Sequence, residues 1–225
     1  YENVYKFKDE IFKNISQNIN LEDQIYSNFL EDDLIRKHIT FLILRDVNRN
    51  SWNLWDTEYQ NYNDNLFDKL LRENKNLVNF HVMTQYEFFN QWRTLKQYAN
   101  DKNVNILGDI PIYVNHDSAD VWLNKEMFEI DENFEMEYVS GAVPDSFNIE
   151  GQIWGNTLYK WDVHKDNDFK YWKEKLNRCL DLYDYLRIDH FIGFFKFWTI
   201  PKGKSALAGH WREGPRFDFF ESIIK

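Results

Sequence analysis

The chain has 225 residues, 43% of them hydrophobic and 18% aromatic, with only 8 Gly and 4 Pro. That composition excludes collagen-like, low-complexity and linker sequences, and it can bury a sizeable core. The formal net charge is −10, from 27 Lys and Arg against 37 Asp and Glu, and no basic run exists, so neither nucleic acid nor an anionic membrane surface is an expected partner.

Residues 1–100 read as helical. Val4, Phe7, Ile11, Ile15 and Ile19 recur at helical spacing, and Leu34, Ile35, His38, Ile39, Leu42 and Ile43 form a second stripe. Trp52–Trp55 interrupts it, and an Asn-rich stretch follows. Leu66, Leu70 and Leu71 predict a short third helix, and a long one is expected from about Asn79 to Asn100. The pattern then changes. Asn103 to Val114 is β-rich and nearly continuous in apolar residues, as suits a strand buried on both faces. Residues 115–165 read as a long connection with little periodicity. Asp168 to Tyr183 is an amphipathic helix, and Tyr185 to Ile188 is a short strand ending at Asp189-His190.

Strand, long loop, helix and strand make a βαβ unit, and loops of this length are usually functional. Both (β/α)₈ barrels and doubly wound sheets place their sites at the C-terminal ends of strands, so position alone does not choose between them. No internal repeat or linker divides the chain.

Three segments carry candidate chemistry. In Arg187-Ile188-Asp189-His190-Phe191, residues i and i+2 of a strand share a face, so Arg187 and Asp189 point together. A nearby guanidinium favours the carboxylate form. Such a carboxylate can serve as a nucleophile in glycosyl transfer, or it can be half of an ordinary ion pair. Gly151-Gln152-Ile153-Trp154-Gly155-Asn156, followed by Tyr159 and Trp161, offers rings and amides to a sugar, or rings that pin a loop to the core. In Gly108-Asp109-Ile110-Pro111-Ile112-Tyr113-Val114, Asp109 sits in an apolar run and needs a bonding partner. It either serves a site network or ties two strands. No GxGxxG or Walker pattern is present.

Other features carry less. There is no apolar stretch of transmembrane length and no signal-peptide pattern. Cys179 is the single cysteine and lies on an apolar helix face, so it is expected in the core; no Cys/His zinc spacing occurs. A reducing, cytoplasmic compartment is expected. His38 and His81 read as structural or exposed, Asp131-Glu132-Asn133 as a turn, and Glu31-Asp32-Asp33 as a solvated helix start.

Taken in order, GDIPIYV…DSADVW, GAVPDSFNIEGQIWGNTLYKW and YLRIDHFIGFFKFW resemble the 4-α-glucanotransferases, also called amylomaltases or disproportionating enzymes. The resemblance is strong from about Asn79 to Trp211 and weaker from about Phe29 to Phe80. It implies an α/β fold, part of an amylase-like (β/α)₈ barrel with helical insertions. Residues 1–100 would be a mainly helical subdomain and 101–225 part of the barrel, with 115–165 as a long βα loop. The implied activity is retaining transfer of α-1,4-glucan segments between maltodextrins. Asp189 would be the nucleophile, oriented and kept ionised by Arg187. His190 would bond the sugar beside the cut, and Trp154 would pack against the glucan. Asp145 and Gln152 would belong to a covering loop, and Asp117 is a weaker carry-over. No metal or organic cofactor is implied. The partners would be maltooligosaccharides, starch or glycogen; the oligomeric state stays open.

Two positions depart from the family pattern. Ser146 stands where an aromatic usually follows Asp145, and Thr157 stands where Pro is usual. The family's acid/base Glu and a further Asp lie on later barrel strands, and a whole barrel needs roughly 250 residues. The chain, which starts at Tyr1 rather than Met, is therefore expected to be an internal piece with little activity alone. An α-glucan hydrolase and a non-catalytic α-glucan-binding module are the competing readings.

Overall fold

The computed structural model describes residues 1–224. It divides into two compact units, Tyr1–Gln97 and the chain from Tyr98 onward.

The first unit is helical: α1 (Glu2–Ser16), α2 (Gln24–Leu30), α3 (Asp33–Asn48), α4 (Leu66–Glu73) and the start of α5 (Lys75–Asp101), with a 3₁₀ turn at Trp52–Leu54. The acidic run is a cap: Asp32 accepts from the backbone N–H groups of Leu34 and Ile35 at the start of α3, satisfying donors that have no partner within the helix. Ile39, Ile43 and Leu44 of α3 are fully buried with Trp52, Val78 and Val82. The predicted α1 stripe is present, but Val4, Phe7, Ile11 and Ile15 are exposed. His81 is structural, with Nε2 2.8 Å from Asp46 Oδ2.

The second unit holds the βαβ motif. Strand β1 (Leu107–Pro111) pairs in parallel with β4 (Tyr185–Asp189), matching Asp109 with Arg187 and Pro111 with Asp189. Helix α8 (Lys170–Leu182) lies in the crossover. The apolar run 103–114 yields a strand of five residues, and it alternates: Gly108 and Ile110 are buried while Leu107, Asp109 and Pro111 are exposed. The expectation of burial on both faces is corrected here. The strand ends in Pro111, which cannot donate to a ladder, and the Asp109 face is open among the described residues. On α8, Trp172 is fully buried, but Cys179 is only half-buried and Leu180 is exposed, so the cysteine is not a core residue.

The connection 115–165 is not a loop in the ordinary sense. It contains α6 (Ala119–Leu123), β2 (Tyr138–Ala142), β3 (Gln152–Ile153) and the start of α7 (Trp161–Asp166). Strands β2 and β3 join β5 (Lys196–Pro201) and β6 (His210–Glu213) in an antiparallel sheet of order β3-β2-β5-β6. Helix α9 (Phe217–Ile224) follows. An aromatic core holds this unit: Phe194 stacks on Phe219 at 4.2 Å between ring centroids, and Trp172 meets Phe194 at 5.1 Å and Tyr159 at 5.4 Å. Edge and offset contacts of this kind add to the gain from area alone.

His164 on α7 gives this core a pH signature. It is fully buried, with Nε2 3.2 Å from the Met127 carbonyl oxygen. Burial lowers its pKa to about 4, against about 6.5 in an unfolded chain. Between those values the unfolded chain binds more protons, so stability rises with pH. The contribution is fully present above about pH 6.5 and is lost as pH falls to about 4, a change of about 3 kcal/mol. Burial moves His81 and His190 in the same direction. Denaturant midpoints should therefore fall from pH 6.5 to 4, and His164→Gln should flatten that limb. A limb of equal depth in the variant would remove His164 as its source.

Candidate functional site

Arg187 and Asp189 occupy alternate positions of β4 and both are exposed. The guanidinium does not engage Asp189. Its Nε donates to Asp109 Oδ1 at 2.9 Å and its Nη2 donates to Asp109 Oδ2, so the pair is bidentate across the β1–β4 register. The hydrogen bonds hold Asp109 below the usual carboxylate range and raise Arg187. Asp189 acts on Arg187 only through space, as the smallest of the effects on its pKa. The sequence-based alternative of an Arg187–Asp189 ion pair is thus corrected: the partner is Asp109. The reason is register, which sets Asp109 directly opposite Arg187 while Asp189 lies one repeat further on, beside Pro111.

His190 follows Asp189 with φ 54 and ψ 41. A left-handed conformation is costly for a residue with a Cβ and recurs at functional sites. It begins the 3₁₀ turn Phe191–Phe194 and turns the chain away from the strand. The His190 ring meets Trp154 edge-on, with centroids 4.6 Å apart and an interplanar angle of 85°. Burial lowers the His190 pKa, and the neighbouring Asp189 opposes that shift.

Trp154 follows β3 directly and is held by β2 and by a β3 side chain. Its backbone N–H donates to the Ser140 carbonyl oxygen at 3.0 Å, and its Nε1 donates to Gln152 Oε1 at 2.9 Å. Gln152 is exposed and pairs with Ala142 across β3–β2. Gly151 and Gly155 flank this segment with φ of +71 and +76. Thr157, fully buried, donates its N–H to the Val114 carbonyl oxygen at 3.2 Å, a bond that a proline there could not make.

Asp145 and Asp117 lie outside this ring cluster in sequence and role. Asp145 Oδ1 accepts from the N–H groups of Phe147 and Asn148 at 2.8 Å each, closing a tight turn that leaves Phe147 and Ile149 exposed. Asp117 sits half-buried in the turn ahead of α6, its N–H donating to Asn115 Oδ1.

One residue of the cluster carried no assigned role in the sequence reading. Tyr113, two residues beyond β1, is 4% exposed, and its ring lies 6.2 Å from His190 and 6.3 Å from Trp154. The signal available was its place after Pro111, at the strand end that Asp189 shares. Among the described residues, no group of three or more His, Cys, Asp or Glu is placed to hold a metal ion, and no helix is long and apolar enough to cross a membrane.

The geometry, an acidic strand end beside a histidine and a tryptophan, can be compared with known proteins. A family model described as 4-alpha-glucanotransferase, Glyco_hydro_77, matches residues 1–225. The chain belongs to this family. The 4-alpha-glucanotransferase of Aquifex aeolicus is 33% identical over 227 residues, covering 100% of this chain and 47% of that protein. The Clostridium butyricum 4-alpha-glucanotransferase is 38% identical over 226 residues, covering 98% and 46%. The amylomaltase of Streptococcus agalactiae, solved in complex with acarbose, superposes with a TM-score of 0.89 at 32% identity, over 99% of this chain and 46% of that one. The β1–α8–β4 unit is therefore part of the family 77 barrel. The chain spans about half the length of the curated relatives it matches.

The turn into β3 gives a test of how Trp154 is placed. A Cβ on Gly151 would lie 2.7 Å from the Ala142 carbonyl oxygen, whereas one on Gly155 would meet nothing within 4 Å. Both positions carry the left-handed strain of roughly 1–3 kcal/mol, and only Gly151 adds a backbone clash. Gly151→Ala should lower the melting temperature more than Gly155→Ala. Equal shifts would mean that the close approach to Ala142 is relieved at no cost.

Proposed function

We propose that this chain is the nucleophile-bearing part of a 4-α-glucanotransferase that moves α-1,4-glucan segments between maltodextrins with retention. The observation that carries the reading is Asp189 at the C-terminal end of a parallel barrel strand, followed at once by a histidine that packs on Trp154. Asp189 attacks the anomeric carbon, the glycosidic C–O bond breaks, and the leaving oxygen takes a proton from a carboxylic acid. The 4-hydroxyl of an incoming glucan then attacks the glycosyl–Asp189 ester, returning its proton to that acid and freeing the Asp189 carboxylate.

Trp154 supplies an apolar face to a glucose ring, and the exposed amide of Gln152 lies beside it. His190 bonds the sugar beside the cut, and the Asp145 turn carries Phe147 as a covering element. Arg187 serves through Asp109: it fixes the two strand ends against each other and contributes positive charge to the Asp189 face. The first unit is read as a helical subdomain, and Asp117 as part of the surrounding loop structure. The reaction asks nothing of a cofactor, and the cytoplasm is the expected compartment. The acid/base carboxyl, which a retaining displacement places about 5–5.5 Å from the nucleophile, is assigned to the part of the family fold that this chain does not span.

The test is maltotriose disproportionation by the full-length protein that contains this segment, read by chromatography. Glucose and a ladder of longer maltodextrins are expected, and Asp189→Asn should lower turnover by at least about 10³-fold, as removal of a covalent nucleophile does. The 225 residues alone should give no ladder. Shorter saccharides without a ladder would make the protein a hydrolase. Bound glucan without turnover in a folded full-length protein would make it a binding module.

Trp154→Ala should raise KM for maltooligosaccharides about 3- to 10-fold with a smaller change in kcat, the size of one aromatic contact. Initial rates over a range of maltotriose concentrations check this. An unchanged KM would remove Trp154 from the glucan path.

A further inference from the structure

Two buried polar atoms of the ring cluster have no hydrogen-bond partner, and they belong to neighbouring rings. They are the Tyr113 hydroxyl and His190 Nε2. Leaving either group unpaired in the interior is costly. Their rings stand 6.2 Å apart at 41°. A hydroxyl beyond one ring and a nitrogen at the rim of the other close that separation with a small side-chain rotation. Gly193 brings the two groups to one place: a Cβ there would lie 3.4 Å from the Tyr113 hydroxyl oxygen and 3.2 Å from His190 Cδ2.

The obvious rival acceptor is already taken. Glu129, the carboxylate that acts on Tyr113, receives two hydrogen bonds from Arg212 at 2.6 and 2.5 Å. Tyr159, which stacks on Tyr113 at 6.1 Å, gives its own hydroxyl proton to the Ile112 carbonyl oxygen at 2.6 Å.

We infer that Tyr113 is a positioning residue: its hydroxyl donates to His190 Nε2 and fixes His190 as the Nδ1–H tautomer. The direction follows from basicity, since an imidazole nitrogen accepts a proton more readily than a phenol oxygen. Nε2 is the enclosed nitrogen, so with Nε2 accepting from Tyr113 the ring proton sits on Nδ1, in the residue next to the exposed Asp189. His190 then presents an N–H donor there, suited to a sugar oxygen, and the proton it carries is set from behind by Tyr113. Burial favours the neutral ring that this arrangement needs. The inference deepens the proposed function and rests on His190 facing the glucan.

Tyr113→Phe keeps the ring and removes only the donor. In the full-length protein with ¹⁵N-labelled histidine, the His190 resonances (assigned by their loss in His190→Gln) should show a protonated Nδ1 and an unprotonated Nε2. In Tyr113→Phe the proton should redistribute toward Nε2, and kcat/KM for maltotriose should fall about 3- to 10-fold, the size of one hydrogen bond. A merely structural tyrosine would leave the tautomer unchanged, and that result would overturn the inference, as would a protonated Nε2 in the unaltered protein. The tautomer is read without turnover. An inactive unaltered protein that shows the Nδ1–H signature would therefore sink the transferase reading and leave the hydrogen bond standing.

Discussion

Everything at the site depends on the parallel register of β1 with β4. A parallel pair cannot be closed by a tight turn; it needs a long crossover, and here Asp109 and Arg187, matched across the ladder, are 78 positions apart in the chain. Closure entropy grows only slowly with loop length, so the length itself is tolerable. Register is the harder demand, because a slip of one residue would turn every side chain to the other face. Two carboxylates guard it. The Asp184 carboxylate accepts from the Ile106 backbone N–H at 2.8 Å and from Asn100 Nδ2 at 2.9 Å at one end, and Asp109 receives Arg187 further along. With both in place, Pro111 falls beside Asp189, and the residues after each strand, Tyr113 and His190, meet.

The long crossover is itself anchored, which is why it can present Trp154 at a fixed place. Strand β2 pairs with β5 from Tyr138↔Pro201 to Gly141↔Trp198, so the middle of the crossover is tied to the segment that follows the Asp189 strand. Thr157 bonds back to Val114 and Tyr159 to Ile112, both just beyond β1. The crossover is thus stitched at its far side to β5 and at its near side to β1. Trp154, between the stitches, meets His190 with little freedom. That order suits the proposed glucan contact, since a side chain already fixed loses less entropy when a ligand arrives.

Long periodic elements were legible in the sequence, and long-range pairings were not. The stripe of α3, the helix over Lys170–Leu182 and the strand at Tyr185–Asp189 each declare themselves by local spacing. Strand β2 does not: Val139-Ser140-Gly141-Ala142 is small and weakly β-forming, and it is a strand because β5 lies against it some sixty residues later. Strand β3 is two residues long and has no period to find. The same limit explains the misassigned ion pair. Spacing within β4 puts Arg187 and Asp189 on one face, but only the register with β1 reveals Asp109 as the partner. The motif residues that resemble the family lie at the C-terminal ends of β1 and β4, while Tyr113 has no pattern along the chain to mark it, only a contact with His190.

The division of the carboxylates bears on the chemistry. Among the described residues Asp189 accepts no hydrogen bond, whereas Asp109 takes the whole guanidinium fork. A carboxylate clasped by two charge-assisted hydrogen bonds is stabilised as an anion and correspondingly reluctant to share its electrons. Had Arg187 gripped Asp189, the oxygens of the proposed nucleophile would have been tied up in hydrogen bonds. Giving the fork to Asp109 keeps a positive charge within reach of Asp189 while leaving the Asp189 oxygens unencumbered. The charge then acts at a distance, without occupying the lone pairs that the proposed attack would use. Asp109 thus decides where the arginine points, and through that whether the oxygens of the proposed nucleophile are engaged.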